Sequence, residues 1–165
     1  MSFQDLDRAA LIAARTRWHT PVADRAIGAF SRTGEHAACW FALGLGGVAL
    51  ERDDRRRRAW LRGVGTVAGA YALNFAVKLA VRRRRPELDG LPPLSPVVSR
   101  LSFPSAHATT SFAAARAYGR LIPAAPLYAA AAGFALSRPY LGVHYPSDVA
   151  AGAALGTLVG ELLRR

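Results

Sequence analysis

Apolar runs separated by short polar or basic breaks organise most of this chain. Five stand out, at residues 37–50, 61–81, 105–122, 126–141 and 147–163. The second has the ~20 residues that span a bilayer. The other four are shorter and rich in Ala and Gly, so polar helix extensions or a thinned bilayer must make up the difference. Small residues recur at intervals of four, the spacing that lets helices approach closely in lipid. Gly65 and Gly69 form one such pair, and Gly152, Gly156 and Gly160 continue the spacing over two turns. Ahead of these runs, residues 5–18 place Leu6, Ala9, Ala10, Ala13 and Ala14 on one helical face and Arg8 and Arg15 on another. That pattern predicts an amphipathic helix on a membrane surface, or else a short helix packed on the body of the protein. Pro21 then opens a second short helix through Phe30. The expected fold is all-α, a polytopic membrane helical bundle of about five transmembrane helices (37–163) preceded by interfacial helices (1–31). The whole is expected to form one domain.

Charge sharpens this picture. The 165 residues are 52% hydrophobic, yet they include 22 Lys and Arg, all but one of them Arg, with a formal net charge of +11. A soluble nucleic-acid binder would carry such charge on a water-facing surface. Here the arginines at 55–58 and 82–85 flank an apolar run, as loops beside lipid headgroups do. The bilayer is the expected partner, and nucleic acid is not. Charged residues such as Asp5, Asp7, Arg8 and Arg15 interrupt the first 30 positions, so no cleavable signal peptide is expected there. The single Cys39 forms no intrachain disulfide. Charge does not assign the two faces. Arginines at 8, 15, 17, 25 and 82–85 fall with the polar breaks described next, and those at 52, 55–58, 62, 120, 164 and 165 fall opposite.

Three polar clusters interrupt the apolar pattern. Lys78 ends the second run, Arg85 and Pro86 follow it, and Asn74 and Tyr71 share its helical face. A lysine at that depth either faces the bundle interior or snorkels outward. The arginines at 82–84 read as a solvated, headgroup-binding run. In the second cluster Pro104 precedes a helix start with Ser105 near the N-cap. The amides of Ala106 and His107 are then free for an anion, with the Ser105 hydroxyl beside them and His107 projecting toward it. The third cluster holds Arg138, His144 and Asp148. Pro146 fits a first helical turn that also contains Asp148, where the helix dipole favours a carboxylate. His144 stands just before that turn, within hydrogen-bonding reach of Asp148. Such a bond either fixes the tautomer and frees the other ring nitrogen as nucleophile or base, or makes a satisfied structural pair.

If successive runs are antiparallel, the breaks at 78–107 and 137–148 lie on one side. Three cations, a hydroxyl, free amides and two histidines then converge on an anion, most economically a phosphate. The histidines lack the matching carboxylate or thiolate ligands of a zinc site, so neither metal nor other cofactor is expected.

At these residues the sequence resembles the type-2 phosphatidic acid phosphatase superfamily. The family pattern is Lys, six residues, Arg-Pro; then Pro-Ser-Gly-His; then Ser-Arg, five residues, His, three residues, Asp. Lys78 to Arg85-Pro86, Pro104-Ser105-Ala106-His107, and Ser137-Arg138 through His144 to Asp148 reproduce all three spacings. The one departure is Ala106 in place of Gly, which keeps the backbone amide. The resemblance implies a metal-independent lipid phosphate phosphatase of the bacterial cytoplasmic (inner) membrane. It casts His144 as nucleophile, Asp148 as its orienting group and His107 as acid and base. Lys78, Arg85, Ser105, Ala106 and Arg138 become the phosphate-binding set. The chain length and the stretch RTGEHAACW (32–40) further resemble a short bacterial subgroup that dephosphorylates decaprenylphosphoryl-5-phosphoribose. Glu35 and His36, with Tyr71 and Asn74, are then candidate headgroup contacts; the bland alternative for Glu35 and His36 is a polar helix end. Polyprenyl diphosphate, phosphatidate and phosphatidylglycerophosphate are the competing substrates, and a lipid-binding scaffold is the competing class.

Overall fold

The computed structural model describes residues 2–163, so the arginines at 164 and 165 lie outside the described residues. Seven α-helices appear among them: α1 (Phe3–Thr16), α2 (Pro21–Thr33), α3 (Ala38–Leu50), α4 (Asp54–Val81), α5 (Ala106–Tyr118), α6 (Ala124–Tyr140) and α7 (Pro146–Leu162). The described residues form no strand, and an isolated bridge between Arg84 and Leu101 ties together the two ends of the α4–α5 connection. The expected all-α fold is therefore observed. Two boundaries differ from the hydropathy pattern. The arginines at 55–58 are not in a loop. They occupy the first turns of α4, because the Asp53 carboxylate caps the Arg56 amide at 2.8 Å and arginine is a good helix former. The third apolar run yields only the 13 residues of α5, which stops at Gly119 with Pro123 soon after. Among the described residues α4 is the one helix both long and apolar enough to cross a bilayer.

The short helix α5 is the axis of the bundle, packed by α4, α6 and α7. Its sequence suits that place: Ala108, Ala113, Ala114 and Ala115 are buried without taking up much space, so neighbouring backbones come close. Its two buried threonine hydroxyls are satisfied within the α5 segment. Thr109 donates to the Ser105 carbonyl at 3.0 Å and Thr110 to that of Ala106 at 2.9 Å, as burial of polar groups in an apolar body requires. Cross-helix bonds then fix rotation. Trp40 Nε1 on α3 donates to Ser111 Oγ at 2.8 Å, and Asn74 Nδ2 on α4 donates to Thr109 Oγ1 at 2.9 Å. Trp40, Trp60, Val67, Tyr118, Leu127 and Phe134 form the apolar core around it.

One of the two glycine patterns does what its spacing suggests. A Cβ on Gly152 would lie 2.6 Å from the Ser105 carbonyl oxygen, and one on Gly156 would strike the Thr109 backbone. Gly160 meets Arg116 and the Ala113 carbonyl in the same way. These glycines let α7 lie directly on α5. The Gly65–Gly69 pair has no such role: a Cβ at Gly65 meets nothing within 4 Å, and one at Gly69 reaches only a Leu163 methyl. Gly63, half a turn earlier, is the α4 glycine that faces the core, against Tyr118.

The N-terminal helices dock on α6 and α7. The buried stripe of α1 is Asp7, Leu11 and Arg15, not the alanine-rich face, and Arg15 reaches the Pro92 carbonyl at 2.7 Å. Arg15 is therefore turned inward, contrary to the face its spacing with Arg8 suggests, while Phe3, Leu6 and Ile12 point away from the body. Phe30 on α2 stacks on Phe134 of α6 at 4.2 Å. Around the bundle, Leu45, Leu61, Leu73, Leu136 and Leu158 are exposed.

The two glycine positions respond oppositely to alanine. Gly156→Ala forces α7 off α5 and costs about 1–3 kcal/mol. Gly65→Ala is neutral or stabilising by up to about 1 kcal/mol through helix propensity. Unfolding midpoints of the two variants in detergent check both.

Candidate active site

Every polar break seen in the sequence ends at one cavity of about 150 Å³. Lys78, Arg85, Ala106, His107, Arg138 and His144 line it, joined by Glu35, His36, Tyr71 and Asn74. Ser105 and Asp148 do not: both are fully buried behind the cavity wall. Ser105 Oγ caps α5 at 3.5 Å from the Ala108 amide, and its own amide donates to the Asp148 carbonyl at 2.9 Å. That last bond joins the starts of α5 and α7.

Lys78 does not snorkel. The α4 face carrying Tyr71, Asn74 and Lys78 points into the bundle, and Nζ donates to the carbonyls of Leu101, Ser102 and Pro104, each at 3.1 Å. Asn74 adds a bond to the Pro104 carbonyl at 3.2 Å. Arg85 is held in the same manner, donating to the Ser99 and Val143 carbonyls at 2.6 Å each. Burial lowers its pKa, and Asp148 opposes that shift. Arg138 donates through Nη1 to Ser31 Oγ at 2.5 Å, while its buried Nε has no hydrogen-bond partner among the described residues.

The histidine tautomers follow from their neighbours. Arg85 Nη1 lies 3.0 Å from His144 Nε2. A guanidinium has no lone pair to offer, so Nε2 is the acceptor and the ring hydrogen sits on Nδ1. Nδ1 faces Asp148 Oδ2 at 3.4 Å. This is electrostatic contact without hydrogen-bond alignment, since Nδ1 is unpaired by that criterion. The bond expected from the sequence is thus an approach not yet closed. His144 is held neutral, its pKa well below the usual 6.5, first by burial and then by Arg85, Arg138 and Lys78. His107 Nε2 lies 3.0 Å from the Ser31 carbonyl, which can only accept, so Nδ1 is its remaining nitrogen.

Glu35 and His36 reach the cavity through an unusual turn. His36 and Ala37 both adopt left-handed φ values, 52° and 59°, which cost a non-glycine residue about 1–2 kcal/mol each. His36 Nδ1 is 2.9 Å from the Tyr71 hydroxyl, which holds the turn against α4.

Two groups escaped the sequence reading. Ser31 contacts both Arg138 and His107, yet it is one serine on α2 with no motif around it. Arg83 is not part of a solvated run: it bridges Asp7 and Asp148 at 2.7 and 2.9 Å. Arg82 and Arg84 are exposed as expected. A signal for Arg83 existed only in tertiary pairing with a carboxylate 76 positions away. Among the described residues no three His, Cys, Asp or Glu side chains are grouped to hold a metal.

A cationic pocket that holds two histidines, with a buried carboxylate behind one of them, is suited to receiving an anion such as phosphate. Residues 59–165 match the PAP2 superfamily, and the chain belongs to that family. It is 44% identical over 134 residues to the decaprenylphosphoryl-5-phosphoribose phosphatase of Mycobacterium tuberculosis (strain ATCC 25618 / H37Rv), covering 81% of this chain and 74% of that protein. With the decaprenylphosphoryl-5-phosphoribose phosphatase of Mycolicibacterium smegmatis (strain ATCC 700084 / mc(2)155) it shares 43% identity over 127 residues, 75% and 68% of the two chains. The fold is similar to that of the transmembrane PAP2-type phosphatidylglycerolphosphate phosphatase from Bacillus subtilis. The TM-score is 0.76 at 24% identity, covering 98% of this chain and 84% of that one.

Because burial and the neighbouring cations push the His144 pKa below its ordinary range, lowering the pH to about 6, just under the ordinary histidine pKa of ~6.5, leaves its Nε2 unprotonated. Imidazole ¹⁵N NMR of labelled protein is expected to show neutral His144 at that pH, with the hydrogen on Nδ1.

Proposed function

We propose that this chain is a multi-pass enzyme of the bacterial cytoplasmic membrane that hydrolyses a phosphomonoester on a lipid headgroup. The favoured substrate is decaprenylphosphoryl-5-phosphoribose, by similarity to the mycobacterial phosphatases. The carrying observation is the His144 Nε2 lone pair, aimed into a cavity ringed by Lys78, Arg85 and Arg138. Residues 1–165 act as one unit, with α3 to α7 as the spanning bundle and α1 and α2 at its interface. The exposed leucines around the bundle and the outward Phe3, Leu6 and Ile12 of α1 support that arrangement.

In the reaction an arriving phosphoryl oxygen takes the Arg85 donor and so uncovers His144 Nε2. That nitrogen attacks phosphorus in line and the bond from phosphorus to the sugar oxygen breaks, while His107, which takes a proton onto Nδ1 as the phosphate enters, delivers it to the departing oxygen. Asp148 stabilises the positive charge growing on His144, closing the 3.4 Å approach to Nδ1. Lys78, Arg85, Arg138 and the Ala106 amide hold the nonbridging oxygens, where fixed charge counts most in the transition state. Ser105 orders that amide from behind. His107 then takes a proton from water, the water oxygen attacks the phosphohistidine, and inorganic phosphate leaves with His144 restored. Glu35 and His36, backed by Tyr71 and Asn74, meet the hydroxyls of the ribosyl headgroup.

A phosphate-release panel tests the reading. Purified protein in EDTA is given the ribose-phosphate lipid, polyprenyl diphosphate and phosphatidate. The expected result is fastest release from the first and a loss of about a thousandfold or more in folded His144→Ala. Equal rates on all three substrates would overturn the substrate assignment, and an active His144→Ala would overturn the mechanism.

A further inference from the structure

Arg83 lies among the six variable positions between Lys78 and Arg85, and Asp7 lies outside residues 59–165, the family-matched region. Neither belongs to the recognised phosphate-binding set, yet together they hold the back of the catalytic centre. Arg83 Nη1 donates to Asp148 Oδ1 at 2.9 Å and to Ser147 Oγ at 2.6 Å. Its Nη2 donates to Asp7 Oδ2 at 2.7 Å, and its guanidinium lies over the Tyr145 ring at 4.1 Å. Asp7 in turn accepts from the Ser147 amide at 3.0 Å and from its hydroxyl at 2.5 Å. Both carboxylates are almost completely buried.

We infer that Arg83 and Asp7 are positioning residues for phosphoryl transfer, and that helix α1 is thereby part of the catalytic machinery. The argument is geometric. Asp148 has two oxygens. Arg83 holds Oδ1, and the Tyr145 amide donates to Oδ2 at 2.9 Å. With both oxygens anchored the carboxylate plane cannot turn, and Oδ2 is left facing His144 Nδ1. Arg83 needs a second anchor, because a single carboxylate leaves its fork free to swing. Asp7 supplies that anchor from the far end of the chain and also ties it to Ser147, in the first turn of α7. The orientation of the nucleophile therefore depends on the seating of α1, whose outer face carries Phe3, Leu6 and Ile12.

This inference rests on the proposed role of His144, and its test separates the two. Full-length Arg83→Gln, Arg83→Lys, Asp7→Asn and the Arg83→Gln/Asp7→Asn pair are compared in detergent by kcat, KM and melting midpoint. The His144 Nδ1 shift is read by imidazole ¹⁵N NMR. Arg83→Gln is expected to lower kcat about tenfold or more with KM within about twofold, since the bound phosphate is untouched while the attacking nitrogen is misaligned. Asp7→Asn should fall in the same direction by a smaller factor. The pair should be no worse than Arg83→Gln alone, as members of one network are non-additive. Arg83→Lys should recover part of the loss, and the ¹⁵N shift of His144 Nδ1 should move in Arg83→Gln as Asp148 turns, while Arg85 keeps the ring hydrogen on Nδ1. A folded Arg83→Gln with wild-type kcat and an unchanged His144 Nδ1 shift overturns the inference. So does a melting loss in Asp7→Asn with no change in kcat, which would mark a purely structural contact. If Arg83→Gln does not fold, Asp7→Asn and Arg83→Lys decide by the same criteria. If the wild type releases phosphate from none of the lipids, the proposed reaction fails, and the Nδ1 shift still decides whether Arg83 holds Asp148 toward His144.

Discussion

Three cations are held inside an apolar body without three carboxylates to neutralise them, and the architecture of the site follows from that constraint. Lys78 donates to three backbone carbonyls, Arg85 to two, and Arg138 to a serine hydroxyl. Such partners meet the hydrogen-bonding needs of a buried charge while leaving its field largely intact. The one buried carboxylate near them, Asp148, is instead paired with Arg83 and turned to the rear of His144. Positive potential therefore concentrates in the cavity. An anion entering it meets donors already oriented, which is where electrostatic preorganisation has its largest effect.

Placing those carbonyls is the work of the α4–α5 connection. The bridge between Arg84 and Leu101 closes this segment, and Lys78 and Asn74 draw its last residues onto α4. The helices provide the frame. Small residues on α5 and α7 let two backbones touch, and the Ser105 amide to Asp148 carbonyl bond at 2.9 Å locks their starts together. The same reasoning explains why so short a helix as α5 can be central: its job is to be surrounded, not to reach across.

Much of this was legible in the chain because it depends on local spacing. Helix faces at intervals of three and four placed Tyr71, Asn74 and Lys78 together, and proline and serine positions marked the starts of α5 and α7. The topological argument that the breaks at 78–107 and 137–148 share a side led to one cavity, which the structure contains. What stayed hidden depends on long-range pairing. Arg15 and Arg83 look solvated by periodicity, yet both are turned inward by partners that periodicity cannot register. Ser31 has no local signature at all. Gly65 and Gly69 carry the right spacing on the wrong face, because a small residue permits close approach only where another helix arrives.

The bond between the starts of α5 and α7 also limits how the pocket can open. His107 rides on one of these helices, Asp148 on the first turn of the other and His144 just ahead of it, so the imidazoles cannot be drawn apart without breaking a glycine-tight seam. A bulky amphiphile must therefore gain admission elsewhere along the rim. The apolar part of that rim is formed by Phe75 and by Pro96, Val97 and Val98, a stretch of irregular backbone, and it reaches solvent at Val98 and Phe75. A seam of touching helices thus backs the cavity, and hydrocarbon rather than charge borders its open edge.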